Sequence, residues 1–395
     1  MSQPEGNNKT AIGILGGGQL SRMLSEAALR LGLRPTPFCF ADDDPATQVT
    51  KDFFVGKLSD RLLLKLFFSK VELVTYESDF LPFEILKSFS DVQFVPPLAS
   101  LEWVSDKIKQ KEILIKLNIP SPEFRRFPSG DLKGWLSSLT SEWKGECVFK
   151  WAKEGYDGKG VFIYRGDFRK AETFCERALK RGVDIFAEKK INFKRELALV
   201  CVYSTDGSFS FYPLVISEQQ NGICKRVTGP ATSLGVSRET EPLAQAYAKK
   251  IGEELKLFGV YAVEFFEDSS GKLFVNEIAP RVHNSGHFTL DACRTSQFEN
   301  HWRALLKMPL GDTTSAPAFA MLNLLGPAGV AQKDISKLST PPDIHFHWYG
   351  KKESREGRKM GHLNLVCSSV KELEDRLPEL ERVEREWLSK FEAKS

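Results

Sequence analysis

Residues 260–288 read VYAVEFFEDSSGKLFVNEIAPRVHNSGHF. Two apolar runs rich in β-branched and aromatic residues flank the turn signal DSSG, the pattern of a β-hairpin. A hairpin centred between Ser270 and Gly271 sets Glu264 opposite Glu277, so both carboxylates point to one face. Ala262, Phe266, Leu273 and Val275 are expected on the same face. Like charges so placed repel unless a cation lies between them. One or two carboxylates together with phosphate oxygens are ligands that magnesium prefers. The bland alternative is a solvated strand face with unrelated carboxylates. Asn276 is expected to face away, joining the pair only if the strand ends there, which the nearby Pro280 favours.

Beyond the hairpin, Arg281, His283, Asn284 and His287 crowd into PRVHNSGH. His283 and His287 are spaced i, i+4, which on a helix would make a metal pair. Pro280 and Gly286 oppose a helix, so the stretch is expected to turn into a pocket, with His287 structural.

The chain opens with alternating strand and helix. TAIGIL (10–15) reads as a buried strand, and Leu20, Met23, Leu24, Ala27, Ala28 and Leu31 form one helical face closed by Gly32. Strands are expected at 35–40, 71–77 and 92–97, with helices at 61–70 and 83–89 between them, which implies a parallel sheet covered by helices. The first turn, G16-G-G-Q-L-S21, suits an anion at the helix N-terminus. Read as Gly16-x-Gly18-x-x-Ser21, with Asp42 further on as a ribose acid, it approaches a dinucleotide fingerprint. An NAD-dependent oxidoreductase is therefore a rival reading, and a plain glycine turn is the bland one.

After residue 100 the pattern changes. A helix is expected over 105–117 with Ser105 as its N-cap. ECVFKWA (146–152) and VFIYR (161–165) form a hairpin around EGYDGKG. Backbone amides of such a loop can wrap phosphate, with Lys159 and the preceding Lys150 adding charge. The alternative is a hairpin tip without a ligand. A helix at 167–181, strands DIFAEKKI, ELALVCVYS and FSFYPLVI, and a helix at 240–257 complete this region. From Pro309 come two more strands, the basic stretch KKESREGRKMGH, LNLVCSS and a charged amphipathic helix over 369–394.

With 55 Lys and Arg against 52 Asp and Glu, the formal net charge is +3, which gives no electrostatic case for nucleic acid or membrane. The seven cysteines form no CxxC and read as reduced, buried thiols of a cytoplasmic protein. MSQPEGNNKT has no apolar signal core, and no apolar run approaches the roughly 18 residues of a spanning helix.

The glycine-rich turn, the K…GYDGKG loop, the E…NE hairpin and PRVHNSGH together resemble the ATP-grasp superfamily. Within it they resemble the N5-carboxyaminoimidazole ribonucleotide synthetase family. ILGGGQLSRM, VTYE, GYDGKG, AEKKINFKRE, NEIAPRVHNSGH with FTLDAC and SQFE, and WYGKKESREGRKMGH carry the likeness across residues 12–365. The resemblance implies an α/β and α+β chain: a Rossmann-like parallel pre-ATP-grasp domain (1–103), an ATP-grasp region (104–308, lid about 121–185) and a small C-terminal domain (309–395). It implies ATP-dependent carboxylation of 5-aminoimidazole ribonucleotide by bicarbonate, through carboxyphosphate, in purine synthesis. It further implies ATP with magnesium, or manganese in its place, as cofactors, and a homodimer as the assembly. The nearest enzymatic alternative is a formate-dependent glycinamide ribonucleotide transformylase.

By motif, the resemblance implies ATP contacts from Lys107, Lys150, the loop residues Gly155, Tyr156, Asp157, Gly158, Lys159, Gly160 and Val161, then Glu188, Lys189, Lys190, Ile191 and Glu196. By the same likeness Glu264 and Glu277 would hold the metal, with Asn276 beside them. Glu77, Tyr156, Asp157 and Lys159 meet the ribonucleotide, and Lys351 and Arg358 its 5′-phosphate. Arg281, His283, Asn284 and Lys351 line the bicarbonate pocket, with Asp157 the candidate base. The chain departs from the family pattern at Ser21 (commonly glycine), Asp79 (a longer acid), Glu154 (glycine), Tyr203 (arginine) and Gln219 (histidine).

Overall fold

The computed structural model describes residues 11–155, 160–327 and 340–389. Near the N-terminus a four-stranded parallel sheet runs Phe54–Val55, Arg34–Cys39, Ala11–Leu15, Leu73–Tyr76. The expected strand at 92–97 shrinks to a single parallel bridge, Val74 to Phe94. Its two prolines, Pro96 and Pro97, cannot donate to a ladder. Helix Gln19–Arg30 buries Leu20, Met23, Leu24, Ala27 and Ala28, and Gly32 follows it with a positive φ of 75°.

Among the described residues the largest sheet has nine strands. Its order is Leu273–Ala279, Gly259–Asp268, Phe193–Tyr203, Val215–Gln220, Ile223–Gly229, Ala318–Leu325, Lys359–Cys367 and Ile344–Trp348, with Phe209–Phe211 beside Phe193–Tyr203. All its pairings are antiparallel. The strands after Pro309 thus extend the sheet that carries the hairpin, joined through Arg226–Leu322 pairing. Both faces of the sheet are covered. Ala198, Val200 and Val202 enter one core while Leu197, Leu199 and Cys201 enter the other. A strand buried on both faces shows an apolar run instead of polar alternation, as LALVCV does.

The first core also takes Ile12, Ile14, Met23 and Leu24 from the N-terminal unit and Phe298 and Trp302 from helix Gln297–Leu305. Trp302 Nε1 donates to Leu24 O at 2.8 Å, and the buried His301 ring bridges Thr75 Oγ1 (2.9 Å) and Val260 N (3.0 Å). Parallel unit and large sheet are thereby locked together around the site.

A third sheet, Phe124–Arg126, Ile185–Lys189, Cys147–Trp151, Val161–Ile163, is antiparallel with its own core of Leu136, Trp143, Phe149 and Cys175. It stands at the expected lid. Helix Lys107–Lys116 begins later than expected, and Asp106, not Ser105, caps it, accepting from Ile108 N (2.9 Å) and Lys109 N (3.3 Å). Ser105 instead ends the preceding helix, Leu98–Val104. All seven cysteines are free, and among the described residues no helix is long and apolar enough to cross a membrane.

Candidate active site

Glu264 and Glu277 are cross-strand partners, but not for the expected reason: next to the turn Phe266 pairs with Phe274 and Glu267 with Leu273, a register centred on Ser270 that alone would set Glu264 opposite Asn276. Directly beyond them the register slips: Phe265 pairs with Val275, and Asn276 is left over as a bulge. A bulge re-aims the side chains around it. Asn276 therefore joins the carboxylates through a slip, not a strand end, since the strand continues to Ala279. Lys150 Nζ lies 3.3 Å from Asn276 Oδ1, and Lys107 Nζ 2.7 Å from Glu277 Oε2. The slip also corrects the expected neighbours. Ala262 and Phe266 keep the carboxylate face, but Leu273 and Val275 turn to the opposite core with Phe265 and Ile278.

Beneath this pair lies a buried ionic group. Glu188 accepts from Lys150 (2.6 Å) and Lys111 (2.7 Å), with Glu188 and Lys111 both almost fully enclosed. Burial alone would raise the Glu188 carboxyl; the two ammonium groups outweigh it and hold it down at about 2. Lys111 also reaches Asn276 O at 3.3 Å. Sequence reading missed Lys111, although its i, i+4 spacing from Lys107 puts both on one helical face. Between them Gln110 donates to Ile278 O (3.1 Å) and accepts from Ile278 N (2.9 Å), so its amide caps the sheet edge beside Glu277.

The carboxyls of the hairpin face differ: against its burial, Lys107, Lys150 and Arg281 hold the Glu277 carboxyl below its ordinary value. Burial, then Glu277 and Glu196, push the Glu264 carboxyl up to about 7. Burial likewise lifts Glu196 to about 7 against Lys150 and a hydrogen bond from Gln219. A Glu264 carboxyl that resists ionising beside the ionised Glu277 fits a divalent cation that would relieve it. Among the described residues no group of three His, Cys, Asp or Glu side chains is arranged to hold a metal ion by itself. The set therefore fits an ion that draws its remaining ligands from a phosphate or water.

The glycine-rich turn is filled from within the chain. Glu77 accepts from Gly18 N (2.5 Å) and Ser21 N (2.8 Å), placing its carboxylate at the start of helix Gln19–Arg30. Burial raises this carboxyl; the two amides, Lys351 and Arg281 oppose it. A phosphate has no place there, so the dinucleotide reading fails. Gly16 has φ 117°, and a Cβ on it would lie 2.4 Å from Glu77 Cγ. Gly16→Ala is therefore expected to destabilise the fold by about 2 kcal/mol through backbone strain and overlap. A denaturant midpoint equal to that of the unsubstituted chain would refute this.

Arg281 donates from Nε to Asp79 Oδ1 (2.6 Å) and from Nη2 to Asp79 Oδ2 (3.4 Å). His283 Nδ1 pairs with Ser285 Oγ (2.8 Å), and its Nε2 lies 3.9 Å from Glu264 Oε1. Burial, then Arg281 and Lys359, bring the imidazole down to about 3, so it is neutral at ordinary pH. Asn284 is buried, its amide exchanging hydrogen bonds with Asn323 (3.0 and 2.7 Å). That commitment suits holding the loop better than touching a reactant. PRVHNSGH does turn, through a short 3-10 segment Asn284–Gly286, and His287 is enclosed against Phe298 and His362.

Lys351 Nζ donates to Lys359 O (2.6 Å), and Arg358 Nη1 to Glu353 O (2.7 Å). Residues 349–352 are drawn onto the parallel unit by Arg22 to Tyr349 O (3.3 Å), Gln48 to Gly350 O (2.8 Å) and Lys352 to Asp43 (3.3 Å). This brings Lys351 toward Glu77.

Tyr156, Asp157, Gly158 and Lys159 lie outside the described residues. At the loop's base, Trp151 N donates to Gly160 O at 2.9 Å, and a Cβ on Gly160 would sit 2.9 Å from Gly155 Cα. Val161 opens the returning strand. Glu154 has a left-handed φ of 61° and pairs with Arg181 at 2.7 Å, which explains why glycine suits that position. Lys189 ends its strand; its backbone N donates to Glu123 O (2.8 Å), and Lys190 N to Glu146 O (2.9 Å), with Ile191 next. Tyr203 stacks on Phe209 at 4.1 Å, an apolar contact that accounts for its departure from the pattern.

Comparisons with known proteins agree along the chain. The ribonucleotide synthetase preATP-grasp domain family matches residues 9–104, the ATP-grasp domain family 112–298, and the phosphoribosylaminoimidazole carboxylase C-terminal domain family 320–376. The chain is 36% identical to an N5-carboxyaminoimidazole ribonucleotide synthase of Pseudomonas aeruginosa, covering 94% of this chain and 98% of that one. It is 34% identical to one of Mycobacterium tuberculosis, covering 96% and 87%. Among solved structures, the N5-carboxyaminoimidazole ribonucleotide synthetase of Thermus thermophilus superposes with TM-score 0.82 at 34% identity, covering 94% and 98%. The Aspergillus clavatus enzyme in complex with ADP and 5-aminoimidazole ribonucleotide gives 0.84 at 30%, covering 96% and 99%.

Proposed function

The chain belongs to the N5-carboxyaminoimidazole ribonucleotide synthase family of ATP-grasp ligases, and from that premise we propose how its own residues divide the work. It is an ATP-dependent carbon–nitrogen ligase of purine biosynthesis. It joins bicarbonate to the exocyclic amine of 5-aminoimidazole ribonucleotide and releases ADP and phosphate. The observation that carries the reading is the Glu264–Glu277 pair, with Lys107 and Lys150 beside it and Arg281 just past the strand that carries Glu277. The formate-dependent alternative gives way to the likeness over the full chain.

Bicarbonate is a poor electrophile, so ATP must activate it. In this reading its oxygen attacks the γ-phosphorus as the bond to the departing ADP breaks, giving carboxyphosphate; this releases phosphate and carbon dioxide, and the amine bonds to that carbon as its proton passes to a base. Magnesium, or manganese, bound by Glu264 and Glu277 with Asn276 beside them, would offset charge on the transferring phosphoryl group. Lys107 and Lys150 hold the phosphate oxygens, and Glu188 through Ile191, with Glu196, frame the rest of the nucleotide. Arg281 grips the bicarbonate carboxylate as a two-pronged donor. The neutral His283 serves as a hydrogen-bond partner there, and Asn284 holds the loop. Glu77, Lys351 and Arg358 meet the ribonucleotide, the last two its 5′-phosphate. The roles of Tyr156, Asp157 and Lys159, with Asp157 as base, rest on the sequence motif. The division into 1–103, 104–308 and 309–395, the homodimer and the cytoplasmic setting belong to the same reading; the free thiols support the last.

The test is ADP release by purified protein with magnesium. It is expected to depend on both bicarbonate and 5-aminoimidazole ribonucleotide; release indifferent to either substrate sinks the reading. Lys351→Ala is expected to raise KM for the ribonucleotide about tenfold, the worth of one charge-assisted phosphate contact, leaving KM for ATP within about twofold. Equal loss toward both substrates would refute the separation of roles.

A further inference from the structure

We propose that Asp79 is a positioning residue for Arg281, fixing which edge of the guanidinium faces the bicarbonate. The proposal rests on Arg281 as the bicarbonate donor and adds what aims it. Asp79 follows the strand Leu73–Tyr76 of the parallel unit, whereas Arg281 follows the hairpin strand Leu273–Ala279 of the large sheet. The pair therefore spans two units of the fold. Both side chains are largely enclosed, Arg281 at 19% and Asp79 at 11% exposure.

A guanidinium presents five N–H donors in a rigid fork. Asp79 takes the side edge, Nε and Nη2, at 2.6 and 3.4 Å, and Val282 O accepts from Nη1 at 3.3 Å. One N–H on each terminal nitrogen remains, along the end edge of the fork. That edge has the spacing for two parallel bonds to a carboxylate.

Asp79 also decides which anion Arg281 holds. Glu277 and Glu77 lie close enough to act on its charge. Without Asp79 the guanidinium would be drawn to one of them, occupying a metal-holding carboxylate or the group seated in the glycine turn. A short acid suits the role because its carboxylate is held close to its own backbone, with one rotatable bond fewer than glutamate.

The test compares wild type, Asp79→Asn, Asp79→Glu, Arg281→Ala and the Asp79→Asn/Arg281→Ala double variant of the full chain. ADP release is measured with bicarbonate, ribonucleotide and ATP varied in turn, and melting is recorded for each variant. Wild-type release independent of bicarbonate would overturn the proposed function itself, so that failure is read separately. If wild type behaves as proposed, Asp79→Asn is expected to lower kcat/KM for bicarbonate at least about tenfold, with KM for ATP within about twofold. Asp79→Glu should recover part of that loss but keep a bicarbonate-selective deficit of at least about twofold, and Asp79→Asn should add less than about twofold in the Arg281→Ala background. Unchanged bicarbonate kinetics, equal loss toward ATP, or full additivity overturns the proposal. Should Asp79→Asn fail to fold, Asp79→Glu decides alone. A bicarbonate-selective change of at least about twofold from its displaced carboxylate upholds the proposal, and a smaller change, or an equal change toward ATP, overturns it.

Discussion

Glu277→Gln is expected to lower kcat for ADP release about a thousandfold while leaving the melting temperature nearly unchanged. The substitution keeps shape and a hydrogen-bonding oxygen for Lys107, now 2.7 Å from Glu277 Oε2, but removes the charge that would hold a divalent ion. Several kcal/mol of charge stabilisation at the transferring phosphoryl group depend on that ion, and each 1.4 kcal/mol or so is a factor of ten. Stability should change little because Glu277 is 38% exposed and a glutamine oxygen still accepts from Lys107, which is 14% exposed. Lys107 gives the result a signature besides rate. With the carboxylate gone, an ammonium stays near the phosphates without its counter-ion, so ATP binding in the absence of metal should hold or tighten. Titration calorimetry without magnesium measures this. A variant turning over within about tenfold of wild type would remove the carboxylate pair from the mechanism.

How far the sequence discloses this site depends on which local rule each residue obeys. The opposition of Glu264 and Glu277 does not follow from the turn alone: the register beside the turn leads to Glu264 against Asn276, and the one-residue slip moves its partner to Glu277. That slip has no mark in the sequence. Phe265, Phe266, Leu273, Phe274 and Val275 are all apolar and the sheet is covered on both faces, so no polar alternation reports a change of register. The glycine turn announces an amide cradle but not its occupant, since Glu77 arrives from 59 residues away. Ser105 and Asp106 are both competent caps, and the choice falls to the residue whose carboxylate reaches two amides. Lys111 escaped notice because a helix lying over a sheet edge buries polar groups that hydrophobic patterning assigns to water. Asp79 reads in the sequence only as a shortened acid, because its partner Arg281 comes from the end of a strand 202 residues on.

Glu188→Ala is expected to lower stability by about 3–5 kcal/mol, the largest loss foreseen for any single change in the site. The reason is what it leaves behind. Lys111 is 2% exposed and takes its 2.7 Å counter-ion from Glu188, and Lys150 takes the other oxygen at 2.6 Å. Removing the carboxylate strands two ammonium groups in a poorly solvated space, a far greater penalty than the net worth of an intact buried pair. Glu188→Gln, which keeps an acceptor but no charge, should fall between the variants. The sign of the pH dependence follows from the depressed carboxyl, which moves from its ordinary 4.5 to about 2. Its contribution is fully present above pH 4.5 and is lost as pH falls through about 2, so the gap between wild type and variant should be constant from neutral pH to about 5 and narrow below that. The nucleotide supplies a second check. Phosphate oxygens brought to Lys150 replace part of the missing charge, so ATP should raise the melting temperature of Glu188→Ala more than that of wild type. A denaturant midpoint shift worth less than about 1 kcal/mol, or an ATP shift no larger than wild type's, would mean that Lys111 is not held charged by Glu188.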